Sequence, residues 1–165
     1  MSFVKFYSPL EARSQGIEPD QVIELRLNNI NVGRVQENRY TKELTKDVVI
    51  KETVYKPDSV VREYAKVKAR ITTTRRTLYS DGNLSITIRD NAGNWLWSDN
   101  VNGQNNWSTE FTTYTGDQRA LGEEDKHLIN RNPGNIPAQS DIINYVRQDI
   151  INNTFYRIKE YYSRY

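Results

Sequence analysis

Cysteine is absent from this sequence and histidine occurs only once, and these two facts exclude several kinds of site. A chain without Cys has no disulfide, no thiolate metal site and no cysteine nucleophile. His127 is the only imidazole base, so a metal-binding cluster of histidines is excluded as well. No glycine loop of the mononucleotide- or dinucleotide-binding type is present. We therefore expect no cofactor and no metal.

An excess of charge of one sign and long apolar runs are also missing. The 23 Lys and Arg and the 21 Asp and Glu residues give a net charge of +2 over 165 residues, which is not typical of a nucleic-acid-binding protein. The longest aliphatic runs, such as Val48-Val49-Ile50, are far shorter than the roughly 18 apolar residues of a membrane span. We expect no nucleic-acid partner and no membrane-spanning segment.

The composition that remains is that of a folded, polar protein. Hydrophobic residues make up 36% of the chain and aromatic residues 11%, and the length predicts a single domain over residues 1–165. From Ala65 to Thr72 apolar residues alternate with basic or polar ones, which predicts a strand over about residues 63–79.

Turn signals divide the following segment into further strands. Asp81-Gly82 is a preferred pair for a tight hairpin turn, and Asn91-Ala92-Gly93-Asn94 predicts a second turn. A polar loop over residues 99–106 then precedes the strand that contains Trp107. These signals predict a four-strand antiparallel meander over about residues 63–115, with a bulge near Arg75-Arg76. Weaker signals predict earlier strands over residues 3–7, 22–27, 31–35 and 47–55.

The C-terminal segment has helical periodicity instead. Its apolar residues recur every three or four positions, which predicts an amphipathic helix over about residues 140–162, with Ser140 or Asn135 as its N-cap; the stripe consists of Ile143, Val146, Ile150, Ile158 and Tyr161. A shorter helix is expected within residues 123–130. The predicted fold is a β-rich α+β domain with an antiparallel sheet or sandwich. The helix stripe packs on that sheet or, alternatively, in a partner's groove.

Two groups of side chains are candidate binding surfaces. The basic strand face formed by Lys66, Lys68, Arg70 and Arg76 suits an anionic ligand, although a solvated strand face explains it more simply. The tryptophans Trp95, Trp97 and Trp107 suit sugar stacking or an apolar anchor of a partner, although a position in the core under the helix explains them more simply.

No catalytic residue is predicted. His127 and Asp125 lack a recognisable nucleophile elbow or oxyanion hole. The acidic run that begins at Glu123 is explained as a helix start, and it lacks the ligand spacing of a calcium loop.

One stretch carries a family resemblance. Leu96-Trp97-Ser98-Asp99, Trp107 and the run Tyr114-Thr115-Gly116-Asp117-Gln118-Arg119-Ala120-Leu121, followed by the terminal helix, resemble uncharacterised cell-envelope lipoproteins of Gram-negative bacteria over about residues 62–165. The chain departs from that pattern in lacking the lipid-bearing cysteine. The resemblance implies a location in the cell envelope, peripheral to a membrane, and no reaction. Independently of it, Gly116 allows a sharp exit from a strand, Asp117 caps the next turn, and Arg119 is placed to bind a carboxylate or carbonyls nearby.

The functional hypothesis is a non-enzymatic envelope or extracellular module that binds another protein or assembles with its own kind. Its 11 Tyr and 3 Trp residues suit interfaces. Tyr161 and Tyr162 at the helix end are candidate contact residues, together with the surfaces described above. The alternative is a carbohydrate-binding module that uses the tryptophans.

Overall fold

A computed structural model describes residues 4–56 and 59–164 of the chain. Strands dominate it, and a long helix ends it. The elements are α1 (Pro9–Gln15), β1 (Gln21–Val32), β2 (Gln36–Lys56), β3 (Ser59–Asp90), β4 (Trp95–Gly116), α2 (Glu123–Ile129) and α3 (Gln139–Tyr162), with a short 3-10 turn at Gln118–Ala120. The prediction of a β-rich fold with an antiparallel sheet and a C-terminal helix is confirmed.

The long strand β3 organises the four-stranded sheet. Its C-terminal part, from Ser80 to Asp90, pairs antiparallel with β1, and its N-terminal part, from Ser59 to Thr77, pairs antiparallel with β2. Strand β4 also pairs with β3. Within the described residues, β3 therefore has all three other strands as partners.

The chain divides into two compact units, and β3 and β4 each contribute to both. Unit 1 comprises Met1–Arg34, Tyr79–Asn106 and Pro137–Tyr165, and unit 2 comprises Val35–Leu78 and Trp107–Ile136. Each unit has its own buried residues, as described below. The single domain expected from the length remains a prediction.

In unit 1, α3 packs on the sheet through residues spaced four apart. Ile142, Val146 and Ile150 are buried on the helix, and Ile86 and Ile88 are fully buried on β3. Two glycines face the helix on the strands. A Cβ on Gly82 would lie 2.9 Å from Ile150 Cδ1, and a Cβ on Gly103 would lie 2.8 Å from the Ile150 backbone nitrogen. Glycine at these two positions lets the helix approach the sheet closely.

The prediction of a hairpin turn at Asp81-Gly82 is therefore wrong. Both residues lie within β3, where they pair with Asn31 and Ile30 of β1, and Gly82 has no positive φ. The turn that joins β3 to β4 is the second predicted one, where Gly93 has φ of 86°. The predicted loop over residues 99–106 likewise lies inside β4. Two long strands thus replace the four short strands of the meander.

Unit 2 has a smaller core, built around the other part of β3. Val67, Ala69 and Ile71 are buried there together with Ala120 and Leu121, which follow the end of β4. Gly116 ends β4 with φ of 103° and lies so close to the backbone of Lys68 that a Cβ would meet its carbonyl oxygen at 2.5 Å. The sharp strand exit predicted at Gly116 is confirmed.

Several smaller expectations differ from the structure. Residues 4–7 form no strand, and Phe3 lies outside the described residues. The helix α1 that follows was not predicted, although Ser8 and Glu11 form a capping box around Pro9. The β2–β3 register is continuous at Arg75-Arg76, so there is no bulge against β2 at that point. The predicted short helix matches α2. The N-cap of α3 is Ala138, so the prediction of Ser140 or Asn135 at that position is wrong.

Candidate functional site

The predicted basic face lies on β3 and is interleaved with acidic residues of β2. Arg70 Nη2 donates to Glu43 Oε1 at 2.8 Å, and Lys66 lies opposite Asp47 in the β2–β3 register. The hydrogen bond from Arg70 lowers the pKa of the Glu43 carboxyl. Lys68 is exposed opposite Thr45. This alternation of charge across the two strands is typical of a solvated sheet face rather than of an anion-binding surface.

The three tryptophans lie in different surroundings. The Trp97 ring packs on Tyr161 of α3, with 5.2 Å between the ring centroids. Trp95 is 65% exposed, and the Arg89 guanidinium lies over its ring at 5.1 Å. Trp107 is half-buried in unit 2. Trp95 and Trp97 belong to unit 1, and Trp107 belongs to unit 2.

The two candidate tyrosines take part in the packing of α3 in unit 1. Tyr161 is 7% exposed, and its ring meets Tyr162 edge to face at 4.9 Å. The Tyr162 hydroxyl donates to Gln21 Oε1 at 2.8 Å, and its ring contacts Phe6 at 5.5 Å. Both side chains therefore hold the helix end against its own unit.

Arg119 clamps a carboxylate, as the sequence predicts, and the carboxylate is that of Asp117. Its Nη2 lies 2.6 Å from Asp117 Oδ2, and its Nε lies 3.0 Å from Asp117 Oδ1. The Arg119 backbone N–H also donates to Asp117 Oδ1 at 2.9 Å, so Asp117 caps the 3-10 turn. The predicted cap is confirmed, and the carboxylate that Arg119 binds belongs to the same motif.

This pair predicts a measurable shift in acid titration. The hydrogen bonds from Arg119 lower the pKa of Asp117 from the ordinary 3.8 to about 2. Because the folded-state pKa is lowered, the stabilisation is complete above the ordinary value and is lost as the pH falls toward 2. We expect the Asp117 carboxyl carbon to titrate near pH 2 by NMR and Arg119→Gln to move its midpoint upward. An unchanged midpoint in Arg119→Gln would contradict the clamp.

The histidine and the acidic run predicted beside it lie on α2. His127 is exposed on α2, near the carboxylate of Glu123. In the described ranges, no group of three His, Asp or Glu side chains is placed to hold a metal ion. A polar recess of about 520 Å³ in unit 1 contains Asp81 and Asp149. Each of these carboxylates already accepts a hydrogen bond, Asp81 from the Asn31 side chain and Asp149 from the Gln104 backbone.

The candidate site that sequence reasoning missed is an exposed β-ribbon in unit 2. Strands β2 and β3 continue past Val48, which packs against the core of that unit. We call residues 49–56 and 59–64 the arm. The arm exposes seven large apolar side chains: Val49, Ile50, Val54, Tyr55, Val60, Val61 and Tyr64.

The register of the arm places these side chains and its charges in cross-strand pairs. Val54 lies opposite Val60, and Val49 lies opposite Tyr64. Between them, Glu52 accepts from Arg62 Nε at 3.1 Å, and Lys51 Nζ lies 3.6 Å from Glu63 Oε1.

Strand β4 ends before it reaches the arm. Its last residue, Gly116, lies beside Lys68 and Ala69, several residues short of Tyr64 on β3. Because β4 runs from the β3–β4 turn toward Gly116, the arm extends beyond its end. The arm is thus a two-stranded ribbon with exposed apolar side chains. The sequence predicted a strand over residues 47–55 there but did not indicate that its apolar side chains are exposed.

Comparison with known proteins adds no further constraint. No protein family, curated protein or solved structure matches this chain significantly. Among the described residues, no helix combines the length and apolar character needed to cross a membrane.

Proposed function

We propose that this protein is a non-enzymatic assembly module that associates with copies of itself through the arm. The observation that carries the proposal is the seven exposed apolar side chains on a ribbon with little cover from its own unit. Exposed apolar patches of this kind are typical of association sites. An isolated two-stranded ribbon is also marginally stable in water, so docking would stabilise it.

The charges of the arm favour a second copy as its partner. Residues 49–64, which are the arm and the two residues that join its strands in the sequence, contain three Lys or Arg and three Asp or Glu, which sum to zero. The ion pairs Lys51–Glu63 and Arg62–Glu52 neutralise the charges between the apolar pairs. Two arms therefore approach without net repulsion. A highly charged partner would either find these charges already paired within the arm or have to break the two ion pairs.

Two finer expectations belong to the same proposal. A module of this kind works in the cell envelope or outside the cell, as the resemblance over residues 62–165 suggests. The carbohydrate-binding alternative is supported by the exposed ring of Trp95 alone, because Trp97 packs on Tyr161. Sugar-binding platforms gain from several rings, so we rank this alternative second.

The arm is tested by removing its apolar surface without disturbing the core. We expect Val54→Ser with Val60→Ser to raise the dissociation constant of self-association at least about tenfold, since both side chains are exposed and are lost from the contact. The matched control is Leu96→Ser with Ile136→Ser, which removes two exposed apolar side chains elsewhere.

Light scattering over a concentration series measures the effect, and circular dichroism checks that both variants remain folded. If the arm variant associates as wild type does, or if the control weakens association equally, the arm is not the contact.

A further inference from the structure

Strand β1 has an open edge, which is a second exposed surface separate from the arm. Among the described strands, β3 is the only partner of β1, so the other edge of β1 is open. Exposed strand edges are usually protected by lysine, proline or a bulge. The segment Gln21–Leu27 contains neither Lys nor Pro, and its register with β3 shifts only after Leu27.

The side chains of β1 are sorted between the two faces of the sheet. Ile23, Leu25 and Leu27 lie opposite Ile88, Ile86 and Leu84, on the face that carries α3. Leu25 and Leu27 remain 51% exposed there, because this strand is at the edge. Glu24 and Arg26 lie on the other face, opposite Thr87 and Ser85.

The sequence of side chains along β1 is self-complementary in an antiparallel pair of two β1 strands. When two β1 strands run antiparallel with Leu25 opposite Leu25, Ile23 of each copy lies opposite Leu27 of the other. In the same register Glu24 of each copy lies opposite Arg26 of the other, so two ion pairs form across a two-fold axis. Arg26 has no ion pair within the described residues, and Glu24 has one long contact, 3.9 Å to Arg89.

We propose that two copies of this chain pair through their β1 edges in this register, which extends the sheet across a two-fold axis. The interface adds backbone hydrogen bonds along the open edges, one Leu25–Leu25 and two Ile23–Leu27 apolar contacts on one face, and two Glu24–Arg26 pairs on the other.

A second copy fits this edge better than an unrelated strand does. Opposite charges face each other only in the antiparallel register centred on Leu25, and two identical strands provide both halves of that pattern. This interface is independent of the arm, because it uses different residues. A chain that associates with copies of itself through two separate surfaces assembles into rows longer than dimers.

Charge reversal tests the register. We expect Glu24→Arg or Arg26→Glu alone to raise the dissociation constant of the β1 contact at least about tenfold, because each variant places two like-charged pairs across the axis. An equimolar mixture of the two variants restores both ion pairs and should associate again, as should the double variant with the charges exchanged. Arg131→Glu, an exposed residue of unit 2, is the matched control for net charge.

The variants are measured in the Val54→Ser and Val60→Ser background, in which the arm contact is weakened at least about tenfold. We expect this background to form dimers, its single charge variants to be monomers, and their mixture to form heterodimers in sedimentation velocity. If the Val54→Ser and Val60→Ser protein is already monomeric, the β1 proposal is overturned and the proposal of association through the arm is not. Association that the charge reversals do not weaken, or that mixing does not restore, would overturn it as well.

Discussion

Replacement of Ile150 by aspartate should unfold unit 1, whereas the same replacement at the next residue should leave it folded. Ile150 is 2% exposed and lies against the strands at Gly82 and Gly103, while Ile151 is 51% exposed. A carboxylate at position 150 would be buried without a partner, which costs several kcal/mol. At position 151 it would point into water.

Urea denaturation followed by circular dichroism measures both variants. We expect Ile150→Asp to lose about 4 kcal/mol or more of unfolding free energy, enough to unfold many domains, and Ile151→Asp to change it by about 0.5 kcal/mol or less. A stable Ile150→Asp protein would mean that α3 does not pack on its own sheet. The helix would then be the contact element for a partner, the alternative that the sequence left open.

The second large effect is expected at Gly103, where even a methyl group has no room. A Cβ at this position would lie 2.5 Å from Ile150 Cγ1 and 2.8 Å from the Val146 carbonyl oxygen. Because two of the three nearest atoms belong to the helix backbone, a side-chain rotation does not relieve the contact. Gly103→Ala should therefore separate α3 from β4 and cost about 3 kcal/mol or more.

Gly93→Ala is the contrasting variant. Gly93 has φ of 86°, and no atom lies within 4 Å of the position that a Cβ would take, so alanine there meets backbone strain but no clash. We expect a cost of about 1 kcal/mol. If thermal and urea unfolding of the two variants gave equal costs, the close helix–sheet contact at Gly103 would be refuted.

The elements that local pattern alone determines could be predicted from the sequence. The helical period over α3 and the acidic start of α2 placed both helices to within a few residues. The turn at Asp81-Gly82 was wrong for a physical reason. Asp-Gly favours a tight turn locally, but Gly82 is needed where α3 crosses the strand, and a long strand paired with β1 outweighs the local preference.

Exposure was harder to predict than secondary structure. Alternation along residues 47–55 indicates a strand and its two faces, but it cannot tell whether another element covers either face. The arm is therefore a property of where β4 ends, at Gly116 beside Lys68, and not of its own sequence. In the same way, Trp97 and Tyr161 suggested a surface from composition, and the structure packs them on each other.

The pairing of β3 with β2 also explains why the positive charges of the basic strand face are partly neutralised. Lys66 and Arg70 form the densest cationic run when β3 is considered alone, yet β2 places Asp47 and Glu43 opposite them. A strand's charge pattern becomes informative only with its neighbour's register, which the sequence alone does not provide.

The weight-average mass of the wild-type protein, measured by sedimentation across about 1 to 100 µM, tests self-assembly most directly. The monomer mass is 19.3 kDa. We predict a mass that rises with concentration and passes beyond that of a dimer, because the arm and the β1 edge are separate contacts. A mass that reaches a plateau at the dimer value would mean that only one of the two contacts forms. A single species at 19.3 kDa over the whole range would contradict assembly through either surface.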